Sequence, residues 1–329
     1  MLIDIVRPEA WDELNDEVRT VLALTPKLKA RVFSGLGQAV FEIAQGTAQF
    51  MAHKKAIGVI RGQTPVFESL LPYYYKETYE VNSISHLALT NVKEWVENLK
   101  KDTNFVLFAD DHPVTGEVYP WVDELDKLLN EKRIYSLRVS HSKHFHDKEE
   151  LRPYTVRICS FAPDLAIAIL GERFRSPSLA AFTQAWNKDQ IIRRLQECLE
   201  KQPTNEALVR SFESEIEKSV PTYFTKNESR LFDRAVVLLP DVSAEAVSQV
   251  LFKKLNWTPS QGWNHLESTN QCHWSSGMKT FKNWWEPSPS LENLRGLLII
   301  GVGALQTRDF ASHLIASYEE VKKMQTWTV

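Results

Sequence analysis

Residues 105–142, FVLFADDHPVTGEVYPWVDELDKLLNEKRIYSLRVSHS, contain the pattern that decides the fold. An apolar run, FVLFA (105–109), is followed by a polar turn segment, a helical pattern over 121–131 and a second apolar run, IYSLRV (134–139). Two short apolar runs separated by a helix predict parallel strands, because a parallel pair needs a crossover connection. The segment therefore predicts one strand–helix–strand unit of an α/β sheet.

The same alternation continues on both sides of this segment. Residues 8–30 are predicted to be helical, and charged amphipathic helices follow the last strand of the sheet, within 187–230. A final strand–helix–strand–helix pattern starts at Asp233. This order predicts an α/β domain followed by a smaller α+β domain, with functional groups at the carboxyl ends of the parallel strands. The remaining strands of the first domain are predicted over 55–60, 79–81, 156–161 and 165–170, with helices over 66–75 and 92–100.

Composition and charge are those of an ordinary globular chain. Of the 329 residues, 43% are hydrophobic and 25% charged, which excludes a disordered chain. The net charge of −3 gives no electrostatic reason to expect nucleic acid, and no apolar run is long enough to predict a membrane span. The three cysteines (Cys159, Cys198 and Cys272) are far apart and odd in number, and the N-terminus lacks an apolar leader. We therefore expect a cytoplasmic protein.

The stretch SLRVSHSKHFH (136–146) places a cation, Arg138, inside an otherwise apolar strand. Burying an unpaired guanidinium is costly, so this position needs a compensating group. His144 and His146 have a spacing that zinc tolerates, but the acidic stretch DKEE follows them and no third ligand converges. We therefore predict loop histidines and no metal site. A looser set, made of His265, Cys272 and His273, also lacks zinc-ribbon spacing.

Three other segments carry weaker signals. GLGQAV (35–40) has two glycines of a dinucleotide fingerprint but Val40 where the third belongs, and no convincing strand precedes it. Its small residues suit either a phosphate at a helix start or an ordinary glycine N-cap. In TPVFESLLPYYY (64–75), Phe67 lies near a strand end and is a candidate for ligand stacking. The tryptophan-rich segment 257–285 is either an exposed interface or a buried seam.

Four motifs in register resemble the fold-type I pyridoxal-phosphate-dependent transferases, specifically the class V aminotransferase and cysteine desulfurase group. VTGEV (114–118) is similar to the family's Ser-Asn-x-Thr-Gly turn, and LRVSHS (137–142) to its Val-Asp-Ala-x-His-Ser strand end. FSGLGQAVFEIA (33–44) resembles its phosphate-binding cup, and GVGALQTRDFASHLIASYEEV (301–321) its C-terminal motif and last helix. The resemblance implies a large domain with a mainly parallel seven-stranded sheet flanked by helices, plus a small α+β C-terminal domain.

The resemblance also implies the domain limits. Residues 1–31 are expected to form a helical segment that packs on the small domain, and residues 32–200 to form the large α/β domain. Residues 201–232 are expected to be connecting helices, and residues 233–329 the small α+β domain. Because the family dimerises across its large domain, a homodimer is expected.

Carried over residue by residue, the resemblance implies that the cofactor's anchor is lost. The cofactor-bearing lysine falls on Asp164 or Leu165, and no lysine occurs between Lys148 and Lys188. Without that amine the cofactor cannot form its internal imine, and the usual proton shuttle is absent. The aspartate that keeps the pyridine nitrogen protonated falls on Arg138, which donates hydrogen bonds and cannot act as a carboxylate.

Other groups of the same site are replaced as well. The asparagine that contacts the ring's phenolic oxygen falls on Pro113, the carboxylate-binding arginine on Ile299, and the Thr-Glu of the phosphate cup on Gly37-Gln38. Only His141, which flanks the ring, is kept. The resemblance thus implies a vestigial cofactor cleft without a catalytic residue. Its members are Gly35, Leu36, Gly37, Phe67, Pro113, Thr115, Arg138 and His141.

The favoured function is a non-catalytic regulatory, structural or ligand-binding homodimer that holds no cofactor. In this hypothesis Arg138 either binds a small anion such as a phosphate or forms a buried salt bridge with a strand-end aspartate. The candidate partners are Asp110, Asp111 and Asp164.

Two enzymatic alternatives stay open. One is an active pyridoxal-phosphate aminotransferase or desulfurase with a relocated lysine, for which Lys143 is the nearest candidate. The other is unrelated chemistry in the same cleft, with His141, Asp164 and Arg138 as acid–base groups and anion clamp.

Overall fold

The computed structural model describes residues 8–86, 88–111, 118–140, 151–162, 165–176, 188–220, 234–262 and 296–326. The chain divides into two compact units, each with its own apolar core. We call residues 1–113 and 118–200 the large unit, and residues 114–117 and 201–329 the small unit.

A seven-stranded sheet is the framework of the large unit. Its elements in chain order are α1 (Pro8–Val21), β1 (Lys29–Phe33), α2 (Leu36–Phe50), β2 (Ala56–Arg61), α3 (Pro65–Lys76), β3 (Glu80–Ser85), α4 (Val92–Glu97), β4 (Thr103–Ala109), α5 (Val122–Glu131), β5 (Tyr135–Ser140), β6 (Thr155–Ala162) and β7 (Leu165–Leu170). The strand order is β1-β7-β6-β5-β4-β2-β3. Strands β2 to β6 are parallel, and β7 is antiparallel to both its neighbours. The predicted mainly parallel seven-stranded sheet flanked by helices is confirmed.

Side-chain alternation along the central strands builds two different faces. One face, with Leu107 and Leu137, packs against α2 and α3 as a continuous apolar core. The opposite face carries two separate apolar clusters. Phe108 of β4 packs with α4 and α5, while Phe161 of β6 packs with α1 and with helix α6 (Lys188–Glu217). Polar side chains of β5 and β6 lie on this second face, and they form the site described below.

Local signals at the sheet's carboxyl edge fix where several helices begin. The Thr64 side chain caps α3 by accepting from Val66 N (3.4 Å), and a proline follows at the first helical position. The Asn91 side chain caps α4 by accepting from Glu94 N (3.1 Å). Each helix therefore starts close to where the preceding strand or turn ends.

The structure corrects the sequence interpretation of the N-terminal region. A strand, β1, occupies part of the segment predicted as helical, and it does precede the GLGQAV turn. It was missed because Lys29 and Arg31 alternate with its apolar residues at the edge of the sheet. Leu14 and Val18 of α1 pack in the large unit's core with Ile167. That this region packs on the small domain stays a prediction.

The small unit is an α+β layer around an antiparallel strand pair. Its elements are β8 (Arg234–Leu238), α7 (Ala244–Lys254), β9 (Leu297–Gly301), α8 (Val302–Leu305) and α9 (Phe310–Thr326), and β8 pairs with β9. Val237 and Ile300 of the strands pack with Leu251 of α7 and Tyr318 of α9. The C-terminal half of α6 joins this core through Phe212. One continuous helix, α6, thus replaces the separate charged helices that the sequence predicted.

No helix in the described parts of the chain has the length and apolar character needed to cross a membrane.

Candidate functional site

A buried cluster of charged side chains lies where β4, β5 and β6 approach the carboxyl edge of the sheet. Asp110 directly follows β4, Arg138 lies in β5, and Arg157 lies beside Arg138 in the β5–β6 register. These three residues are 1%, 7% and 1% exposed. The strands set this arrangement, because the two arginines project from the same face of neighbouring parallel strands.

Asp110 is the centre of the cluster. Its Oδ1 accepts from Arg138 Nε (2.7 Å), and its Oδ2 lies 2.9 Å from Arg157 Nε and accepts from the Ser140 hydroxyl (2.8 Å). Arg157 Nε is also 3.1 Å from Ser140 Oγ. Both carboxylate oxygens are therefore engaged by donors from β5 and β6.

The electrostatics of Asp110 follow from these contacts. Burial disfavours the ionised form of Asp110. The charges of Arg138 and Arg157, together with the hydrogen bonds from Arg138 and Ser140, outweigh this effect and lower the pKa of Asp110 to about 2. The carboxylate is accordingly ionised at neutral pH. A guanidinium that would be costly alone in the sheet is thus compensated.

A second buried carboxylate, Asp126 of α5, extends the cluster. Its Oδ2 is 3.5 Å from Arg138 Nη1 and 3.2 Å from Arg152 Nε. Its Oδ1 accepts from the Thr155 hydroxyl (2.6 Å) and from Asn130 Nδ2 (3.2 Å). Burial raises the pKa of Asp126, and the attraction of Arg138 offsets this only in part.

The neighbouring strand end is closed by a backbone-directed side chain. Gln63, fully buried beyond β2, accepts from Ala109 N (2.9 Å) and donates to Ala109 O (3.3 Å). It thereby satisfies both backbone groups of the last residue of β4.

The start of α2, predicted as the phosphate cup, is held by the chain's own side chains. Gly35 precedes the helix with a φ of 145°, which a side chain would disfavour. Gln38 Oε1 accepts from the Ser34 N–H (3.1 Å) and hydroxyl, and Gln38 Nε2 donates to Glu42 (2.8 Å). The side-chain amide of Gln38 at this helix start is therefore already hydrogen-bonded to Ser34 and Glu42.

Five of the eight predicted cleft residues lie in the described part of the chain. Gly35 precedes α2, Leu36 and Gly37 are its first two residues, and the space beside Gly37 is open. Phe67, the residue predicted to stack on a ligand, is fully buried in the core between the sheet and its helices. Arg138 takes the internal salt bridge with Asp110. The other residues with predicted roles lie outside the described residues: Pro113, Thr115, His141, Lys143, His144, His146, Asp164, His265, Cys272 and His273.

Of the two positions predicted for the cofactor's lysine, Leu165 is the one that the structure describes. Strand β6 ends at Ala162, β7 begins at Leu165, and these two residues pair with each other in the antiparallel ladder. Leu165 is fully buried and belongs to the apolar cluster under α1 and α6. In the small unit, Ile299 pairs with Val236 in the strand ladder.

Pyridoxal phosphate, the cofactor that the resemblance implies, would need groups that the described residues Arg138 and Leu165 do not supply. Its imine needs a lysine amine and its ring nitrogen needs a partner at the strand end. The strand end presents Arg138, whose Nε is bound to Asp110, and Leu165, one of the two positions predicted for the lysine, is an apolar core residue. Among the described residues, no group of His, Cys, Asp and Glu side chains is arranged to hold a metal ion.

Solved structures share this architecture over almost the whole chain. A NifS-like protein matches with a TM-score of 0.69 at 12% identity, over 95% of this chain and 87% of that chain. The histidinol-phosphate aminotransferase from Clostridium acetobutylicum matches with 0.62 at 10% identity, over 98% and 92%. The alanine–glyoxylate aminotransferase from Nostoc sp. matches with 0.60 at 15% identity, over 95% and 86%. The chain has the fold of the fold-type I pyridoxal-phosphate-dependent transferases.

The likeness rests on tertiary structure. No family model matches the sequence, and no curated protein matches it. Identities of this size show a shared fold, so the function has to be argued from this chain's own side chains.

Sequence reasoning missed three members of the site. Arg157 lies in the apolar run VRICSF in the same way that Arg138 lies in its strand, so a second buried cation was visible in the sequence. Asp126 looked like an ordinary acidic residue of an amphipathic helix, and Gln63 like a loop residue. Neither of those two had a local signal, because their partners are distant in the chain.

Proposed function

We propose that this protein is a non-catalytic member of the fold, with a structural, regulatory or ligand-binding role. The observation that carries the proposal is the Asp110 carboxylate held between Arg138 and Arg157. In the corresponding region of an imine-forming enzyme, the chemistry requires a lysine and an electron sink supported by a carboxylate at the strand end. Here the strand-end charges are directed at each other.

The buried contacts also bear on where an anion is bound. Arg138 Nε is committed to Asp110 at 2.7 Å, and Nη1 lies 3.5 Å from Asp126 and 3.6 Å from the exposed Asp123. A phosphate arriving here meets three carboxylates around one guanidinium. These contacts favour the internal salt bridge over the predicted anion site.

Light scattering on the purified protein is the measurement that tests the homodimer that the resemblance implies.

The experiment that tests the proposal is titration with pyridoxal phosphate. The protein is mixed with one equivalent, the imine absorbance is recorded, and the sample is reduced with borohydride and digested for peptide mapping. We expect no stoichiometric adduct, only sparse labelling spread over exposed lysines such as Lys100 and Lys101. One lysine labelled to completion, with a matching absorbance band, would refute the proposal.

A matched variant tests the alternative of an active enzyme with a relocated lysine. Lys143→Arg keeps the positive charge but cannot form an imine. If the wild type carries a stoichiometric adduct that Lys143→Arg lacks, the relocated-lysine enzyme is the correct reading. If both proteins give the same sparse labelling, the non-catalytic function is supported.

A further inference from the structure

Four buried charged groups on one face of the large unit are joined by direct contacts. They are two guanidiniums and two carboxylates, which we call the charge set: Asp110, Asp126, Arg138 and Arg157. Arg138 is the member that contacts both carboxylates, with Nε on Asp110 and Nη1 towards Asp126. The other arginine contacts Asp110 through Nε. The set therefore has equal numbers of positive and negative charges.

Several groups surround the charge set and restrict what it tolerates. Asp111 is buried directly after Asp110, and Asp123 approaches Arg138 from the solvent side. Arg152, with 39% of its side chain exposed, is the additional cation beside Asp126. Loss of positive charge at Arg138 thus leaves a local excess of carboxylates in a region with little water to screen them.

The two apolar clusters on this face explain why the charge set matters for the sheet. Phe108 and α5 lie on one side of it, and Phe161 with α1 and α6 lies on the other. The polar contacts cover the intervening stretch of β5 and β6, where no apolar cluster of the described residues extends. Ser140 and Thr155 add hydroxyl donors to the two carboxylates.

We propose that the charge set is one interdependent unit that completes this edge of the sheet without any cofactor, so that a carboxylate at position 138 can no longer be accommodated. Arg138 is a positioning residue in this unit, because it acts by holding Asp110 and Asp126. An aspartate at 138 would remove one positive charge and add one negative charge beside the two buried carboxylates that Arg138 contacts. The proposal rests on the proposed function only in assuming that no cofactor holds this edge.

The test is a charge-compensation cycle measured by urea unfolding. Arg138→Met removes the charge but keeps an unbranched chain, Arg138→Asp reverses the charge, and each is combined with Asp126→Asn. Breaking a buried pair costs several kilocalories, so Arg138→Met is expected to lower the folding equilibrium constant on the order of a hundredfold or more. Arg138→Asp is expected to lower it further. Asp126→Asn alone is expected to change it by no more than about fivefold, because Arg138 keeps the Asp110 carboxylate as its counter-charge and burial already raises the pKa of the Asp126 carboxyl.

The decisive readout is the effect of Asp126→Asn in the two Arg138 backgrounds. If the charges are interdependent, Asp126→Asn raises the unfolding midpoint of Arg138→Met and of Arg138→Asp. The same substitution does not raise the unfolding midpoint of the wild type. A purely packing role for Arg138 predicts no such recovery, and that result would overturn the proposal. If Arg138→Asp does not fold alone, the Arg138→Met pair of variants still gives the coupling.

A second experiment, unfolding in the presence of pyridoxal phosphate, tests this proposal separately from the proposed function. The unfolding midpoints of wild type and of Arg138→Asp are measured with and without excess pyridoxal phosphate, since a ligand that binds the folded state raises the midpoint. No shift in either protein supports the proposal. A stable Arg138→Asp protein whose midpoint rises with pyridoxal phosphate overturns it. A lysine adduct on the wild type would refute the proposed function while leaving the Asp126 coupling to be judged separately.

Discussion

Asp110→Asn is the substitution whose effect the structure specifies most sharply. It removes the carboxylate that Arg138 and Arg157 share and places an amide N–H₂ where Oδ2 now accepts from two donors. Two buried guanidiniums then lose their common counter-charge. Because removal of one partner leaves an uncompensated buried charge, we expect a loss of about 3–5 kcal/mol in the free energy of unfolding.

The pKa of Asp110 gives an independent magnitude and a pH dependence. A lowering from its ordinary value of 3.8 to about 2 corresponds to about 2.5 kcal/mol of stability from ionisation, at about 1.4 kcal/mol per pKa unit. This is smaller than the loss expected for Asp110→Asn, because protonation leaves the contacts in place whereas the amide adds a mismatched donor. A carboxyl with a lowered pKa stabilises the fold above its unfolded-state pKa. That stabilisation is lost as the pH falls through about 2.

The assay is urea unfolding combined with hydrogen exchange of peptides from β4 and β5, which reports on the large unit separately from the small one. The difference in the free energy of unfolding between wild type and Asp110→Asn is expected to be constant near neutral pH and to become smaller as the pH falls below 3.8. Glu80→Gln is the matched control, since its partner Lys100 forms an exposed ion pair, and exposed pairs contribute about 0–1 kcal/mol. A difference below about 1 kcal/mol near neutral pH, or a difference that does not become smaller in acid, would refute the reasoning.

Other substitutions test neighbouring features of the large unit. Gln63→Leu is expected to lower the free energy of unfolding by about 2–4 kcal/mol, because both backbone groups of Ala109 lose their partner. Gln63→Glu keeps the shape of the side chain and the acceptor for Ala109 N, but it removes the donor to Ala109 O. Tyr74→Phe is expected to leave stability unchanged or to raise it by about 1 kcal/mol in a thermal melt, since its hydroxyl is buried without a hydrogen-bond partner among the described residues. The Cys159 thiol is expected to resist alkylation in the folded protein at neutral pH, because burial raises its pKa to about 12 despite the nearby Arg157, and rapid labelling would contradict this.

The central strands of the fold were predictable from local sequence for a simple reason. Strands such as β4 and β7 are buried on both faces, so their residues form continuous apolar runs that any window detects. The edge strand β1 lacked that signal, because Lys29 is exposed and Arg31 alternates with the buried residues. Its pairing with β7 is a long-range contact that local periodicity does not carry.

The candidate site divides in the same way. The sequence by itself determined that Arg138 is a cation inside an apolar strand and must have a counter-charge, and it included Asp110 among the possible partners. Only the tertiary structure decided that Asp110 is shared with Arg157 and that Asp126 reaches the set from α5. The physical reason is that strand register and helix packing, set by contacts far apart in the chain, choose which charges share one buried space.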